Sequence, residues 1–75
     1  MVIPLSHIAL NQQAEIVWLA AAPDMHQRLL DLGFEPEETV SCVLKSKNGM
    51  SAYLVKHAVI ALRQKDAAGI FVKIP

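Results

Sequence analysis

Apolar and polar residues alternate with a period of two in five short segments, which predicts five strands. In Ala14 to Ala20, Ile16 and Trp18 fall on one face, and Glu15, Val17 and Leu19 on the other. Both faces are mostly apolar, so this strand is expected under cover on both sides for part of its length. Thr39 to Lys47 sets Val40, Cys42 and Leu44 against Thr39, Ser41, Val43 and Lys45. Met50 to Lys56 alternates Ala52 and Leu54 with Tyr53 and Val55, and Val59 to Arg63 makes a fourth strand. Ile70 to Ile74 makes the fifth, with Ile70, Val72 and Ile74 inward and Lys73 outward.

One segment follows a helical period instead. Met25, Leu29 and Leu32 recur at i, i+4 and i+7 and share a face that Leu30 widens, while Gln27, Arg28 and Asp31 take the wet side. Pro23 suits the first turn, where its missing N–H has no helical partner, and Asp24 places negative charge near the positive end of the helix dipole. Gly33 is the expected stop, because glycine adopts a left-handed conformation without a Cβ penalty. Phe34 then folds back onto Leu29. A helix of about 15 Å is marginal alone, so the strands must cover its apolar stripe.

The joints are short. Asn48-Gly49 predicts a type I′ hairpin turn, His57-Ala58 a tight connection, and Gln64 to Ala68 a single helical turn broken by Gly69. Ser6 is placed to cap one helical turn that points Leu5 and Ile8 inward, and Asn11 suits a left-handed turn position. Glu35-Pro36-Glu37-Glu38 excludes a buried strand. Five short strands with one helix between the first two predict a mainly β, small, closed or nearly closed barrel, which hides strand edges.

Length and composition narrow the setting. Seventy-five residues predict one domain, residues 1–75, with a single small core. The lone cysteine, Cys42, allows no internal disulfide, and Met1 to Pro4 lacks the basic start of a signal peptide; both favour the cytoplasm. The longest apolar run, Ile16 to Ala22, is too short to insert in a membrane. The hydrophobic fraction of 53% is high against 19% charged residues, which is compatible with a partner surface or self-association and equally with many alanines. Net charge is zero but uneven: residues 1–38 hold nearly all the carboxylates, and residues 39–75 nearly all the lysines and arginines. No arginine-rich run, aromatic stacking set or basic recognition helix points to nucleic acid.

The order of these residues resembles the FeoA family of bacterial ferrous iron uptake. The likeness begins at Pro4-Leu5-Ser6 and runs through Ala14-Glu15-Ile16-Val17. It is clearest at Arg28-Leu29-Leu30-Asp31-Leu32-Gly33-Phe34-Glu35-Pro36, with Val40 following at the expected distance. It closes on Ile60-Ala61-Leu62-Arg63 and Asp66-Ala67-Ala68-Gly69-Ile70-Phe71-Val72. The family usually has glycine where this chain has Asn11 and Glu37; asparagine tolerates a left-handed position, whereas Glu37 predicts a turn of another shape. The resemblance implies an SH3-like barrel and a cytoplasmic accessory role beside FeoB, the membrane ferrous iron transporter with a GTPase domain. It also implies an alternative, a stand-alone regulatory domain related to the C-terminal domain of iron-dependent repressors; a small metal-binding protein is a further alternative of another class.

No nucleophile–base pair or phosphate-cradling loop marks an enzyme, and no catalytic residue or cofactor is expected. Cys42 reads as a core cysteine. His7, His26 and His57 lie in three elements without ligand spacing, and Glu35, Glu37 and Glu38 read as a solvated turn, so no metal site is expected. Arg28 has Asp24 and Asp31 within helical reach as surface partners; the family signature makes it instead a candidate contact to the transporter. Lys45, Lys47 and Lys56 flank the hairpin, either guarding exposed strands or facing an acidic partner.

Overall fold

Six strands form one antiparallel sheet in the computed structural model, which describes residues 1–75. The elements are β1 Val2–Pro4, a 3₁₀ turn Leu5–His7, β2 Gln13–Leu19, α1 Pro23–Leu32, β3 Thr39–Lys45, β4 Met50–Val55, β5 Ala58–Arg63, α2 Gln64–Ala67 and β6 Ile70–Lys73. The spatial order is β1-β6-β2-β3-β4-β5. No ladder joins β1 to β5, so the expected closure is not complete. Instead α2 packs against both β5 and the 3₁₀ turn, which packs on β6.

Strand β1 has no signal in the alternation of the sequence. It is three residues long, and its partner lies at the far end of the chain, with Val2 opposite Lys73 and Pro4 opposite Phe71. The 3₁₀ turn buries Leu5 and Ile8 as expected, but Pro4 occupies the cap position and Ser6 makes no capping bond.

Two bulges overturn the simple alternation. In β2 the pairing steps from Ile16 opposite Val72 to Trp18 opposite Phe71, which makes Val17 the extra residue. Ile16 and Leu19 are therefore buried, while Trp18 leaves the face of Ile16, is 49% exposed and stacks on Phe71 at 4.8 Å. In β3 the step from Cys42–Tyr53 to Leu44–Ala52 leaves Val43 unpaired, and Leu44 turns out to 58% exposure. Ile74 lies beyond the end of β6 and is also exposed, against its inward assignment.

Helix α1 stops as its residues require. Gly33 has φ +109°, its N–H donates to Leu30 O at 3.0 Å, and the Phe34 N–H donates to Leu29 O at 2.9 Å. This is the paired bonding of a Schellman ending, and it buries Phe34 with Leu29 in the core. Burying Leu29 stabilises the fold by about 1.5–3 kcal/mol. Leu32, expected on the same stripe, is exposed at the rim, and Met25 and Leu30 are half-buried.

Three turns differ from expectation. Ser46 N donates to Met50 O, and only Gly49 of the Asn48-Gly49 pair has positive φ, +86°. The β3–β4 hairpin thus has a longer loop closed by a left-handed glycine rather than a type I′ turn. The two-residue type I′ geometry occurs at Lys56-His57, φ +48° and +67°, one residue earlier than the expected joint. Glu37 takes φ +77° and keeps the left-handed turn that its side chain was expected to change; its N–H donates to Ile16 O at 2.7 Å.

Candidate partner-binding cleft

The free side of β5 faces α1 across an open cleft of about 360 Å³. Met25, Leu29 and Leu32 from the helix, with Met50 and Leu62 from the sheet, give it an apolar lining. Arg28, Arg63 and Lys65 surround that lining, with Asp66 the sole carboxylate. The cleft exists because α1 turns only Leu29 fully into the core and leaves its neighbours half-covered.

Arg28 is exposed and has no ion-pair partner: the protein's two salt bridges are Lys56–Glu35 and Lys73–Glu15. Neither nearby aspartate engages it, and Asp31 accepts a 2.8 Å hydrogen bond from Gln27 Nε2 instead. Its charge is thus available to a partner.

The other three sequence candidates divide between two ends of the sheet. Lys45 borders a second depression of about 140 Å³ that shares Met50 with the cleft and includes Tyr53 and Gln64. Its Nζ lies 3.4 Å from the carbonyl oxygen of Ser6. Lys47 is exposed in the loop beside it. Lys56 stands at the opposite end of β4, about 17 Å away along a strand rising ~3.4 Å per residue. There its Nζ donates to Glu35, a bond that raises its pKa above the ordinary lysine value. The structure therefore brings Arg28 and Lys45 to adjoining hollows and leaves Lys56 with the acidic turn.

The sequence pattern does not single out Arg63 and Lys65, although both belong to its basic half. Their proximity to Arg28 depends on which strand lies at the sheet edge, and the local pattern around them carries no signal of that.

Elsewhere the surface offers little chemistry. Cys42 is buried and its Sγ lies 3.6 Å from Leu44 O. Burial pushes the Tyr53 phenol above its usual pKa. His7, His26 and His57 stand on separate elements, and no three His, Cys, Asp or Glu side chains converge as a ligand set. No helix is long and apolar enough to cross a membrane.

Comparison with known proteins gives a consistent picture. Residues 3–74 match the FeoA domain family. A crystal structure of an iron uptake regulatory protein, FeoA, superimposes with a TM-score of 0.89 at 22% identity over 97% of each chain. The solution structure of the FeoA protein of Chlorobium tepidum gives 0.89 at 26% identity, over 96% of this chain and 70% of that one. A manganese-dependent transcriptional repressor gives 0.89 at 16% identity over 99% of this chain but 42% of its own, a likeness of fold alone. No curated protein matches the sequence. The mainly β, SH3-like fold is common to this chain and these neighbours.

Proposed function

The chain belongs to the FeoA domain family, and from that membership we propose that it is a cytoplasmic accessory protein of bacterial ferrous iron uptake, binding the GTPase domain of a FeoB-type membrane transporter through the α1–β5 cleft. The family serves ferrous iron transport. The observation that carries the cleft assignment is its composition: unpaired Arg28 with Arg63 and Lys65 around an apolar floor.

Each part of the cleft has a distinct role in docking. Covering Met25, Leu32 and Met50 removes apolar surface from water, which supplies affinity. The basic rim attracts an acidic surface and sets its orientation, so it acts mainly on association rate and is weakened by salt. The protein contributes binding and no bond-making chemistry, and it supports the transporter's assembly or GTPase cycle through that contact.

The test is a pull-down of the purified chain with the cytoplasmic domain of a ferrous iron transporter, with and without guanine nucleotide. Capture that depends on nucleotide makes the chain a reader of the GTPase state; capture in both conditions makes it a structural adaptor. No capture by a folded chain refutes the proposal.

A further inference from the structure

The cleft has one wall that is a strand edge with unused hydrogen bonds. In β5, Ala58 pairs with Val55 directly beside the two-residue Lys56-His57 turn, and the pairing runs without a shift to Arg63 opposite Met50. In such a hairpin the residues flanking the turn are a hydrogen-bonded pair, and bonding alternates from there. Ala58, Ile60 and Leu62 therefore aim their backbone groups at β4. The continuation agrees, since Gln64 N donates to Gly49 O at 2.8 Å. Val59, Ala61 and Arg63 aim theirs away from the sheet, and β5 is its last strand.

This edge lacks the devices that usually protect one. Ala58–Arg63 contains no proline, no bulge and no charge before Arg63. The opposite edge, β1, is three residues long and ends in Pro4. Ala61, Leu62 and Arg63 also line the cleft, so the unprotected edge opens opposite α1.

We infer that the cleft takes its partner as an extended strand, a segment in which carboxylates alternate with apolar residues and which adds to the free edge of β5. Backbone bonds to Val59, Ala61 and Arg63 give affinity that is indifferent to side chains, and the cleft supplies selectivity. Side chains on one face of the added strand enter the hollow beside Met25, Leu29 and Leu62. Those on the other face lie alongside Ala61 and Arg63. Three cations against Asp66 alone favour carboxylates in the segment. A helical segment would satisfy its own backbone and leave the β5 groups unpaired. The inference rests on the transporter reading for the identity of the partner, but not for the mode of binding.

Amide exchange of the full chain, followed by NMR, tests it with two probes. One is the cytoplasmic domain of the ferrous iron transporter; the other is a terminally blocked nonapeptide alternating glutamate and valine, with a lysine–valine peptide as charge control. Slowed exchange at Val59 and Ala61 on saturation with either acidic probe, and not with the control, supports the inference. Ala61→Pro should keep the fold, because proline is tolerated where the N–H points off an edge. It should weaken the acidic peptide by about fivefold, the loss expected for one hydrogen bond. Should that variant unfold, the exchange data on the native chain decide alone. A complex that leaves Val59 and Ala61 exchange unchanged overturns strand addition while leaving transporter binding intact. Peptide protection without transporter binding keeps the strand site and removes the named partner. Protection that rises with chain concentration and no probe means self-pairing and overturns the inference, as does binding of neither probe.

Discussion

Replacing Gly69 by alanine puts a methyl group 2.8 Å from the carbonyl oxygen of Ala20, closer than folded chains allow. The obstacle is backbone. Ala20 N also donates to Gly69 O at 2.7 Å, so the α2–β6 junction is clamped to the end of β2 from both sides. Relieving the clash needs a few tenths of an ångström of separation, which lengthens that bond and pulls on the adjacent Leu19–Ile70 pair, both buried. Overpacking of this kind costs about 1–3 kcal/mol. The lower entropy of the unfolded alanine chain offsets about 0.4–1 kcal/mol. The net expectation is ~1–2 kcal/mol, a fall in Tm of roughly 5–15 °C for a domain this small. Gly33→Ala is the control with a different cause. Its φ of +109° imposes strain, but its nearest contact is the flexible Lys56 stem at 3.3 Å. Adding Lys56→Ala should relieve part of the Gly33→Ala cost and none of the Gly69→Ala cost. Urea unfolding followed by Trp18 fluorescence and far-ultraviolet circular dichroism measures all four. A neutral or stabilising Gly69→Ala, or its rescue by Lys56→Ala, refutes the reasoning.

Three other outcomes follow from named contacts. Leu29→Ala should cost about 2–5 kcal/mol in urea unfolding, because the fully buried side chain joins α1 to the core. Arg28→Glu should slow association with the transporter domain and weaken its capture with unchanged circular dichroism, since the exposed arginine has no partner inside the protein; an unchanged association rate and affinity remove it from the site. At alkaline pH, stability should fall for two reasons. Burial raises the Tyr53 pKa above 10.0 in the folded state, and the bond to Glu35 raises that of Lys56 above 10.5. The folded state then holds protons that the unfolded state has released, so their contributions are intact below the unfolded values and are lost as pH rises through the folded ones. As pH rises past about 10, the lower of the two unfolded values, the urea midpoint should drop, and the Tyr53→Phe, Lys56→Ala double variant should drop less.

Local signals in this sequence are legible where one residue type has one physical use. Gly33 followed by Phe34 could end a helix and little else, and the observed ending is the expected one. Turn residues were less informative: Asn48-Gly49 fits two hairpin geometries, and the choice depends on the strands it joins. The bulges at Val17 and Val43 left no trace, because a valine suits either face of a strand. Each nonetheless reverses the residues after it, and that reversal exposes Trp18 and Leu44. Strand β1 depends on a pairing across the whole chain. Arg28 could be singled out from its helix and the family signature, whereas Arg63 and Lys65 join it only through the sheet order. Lys56 meets Glu35 because a turn and a helix end happen to be neighbours in space.

Chemical-shift mapping of the isotope-labelled chain, titrated with the cytoplasmic GTPase domain of a ferrous iron transporter, tests the central claim most directly. The account predicts shifts concentrated at Arg28, Leu32, Met50 and Val59 to Lys65, with Glu35, Glu37 and Lys56 unmoved. Shifts confined to the Lys56 end or to the Trp18–Phe71 stack, or none at saturating partner, would contradict it.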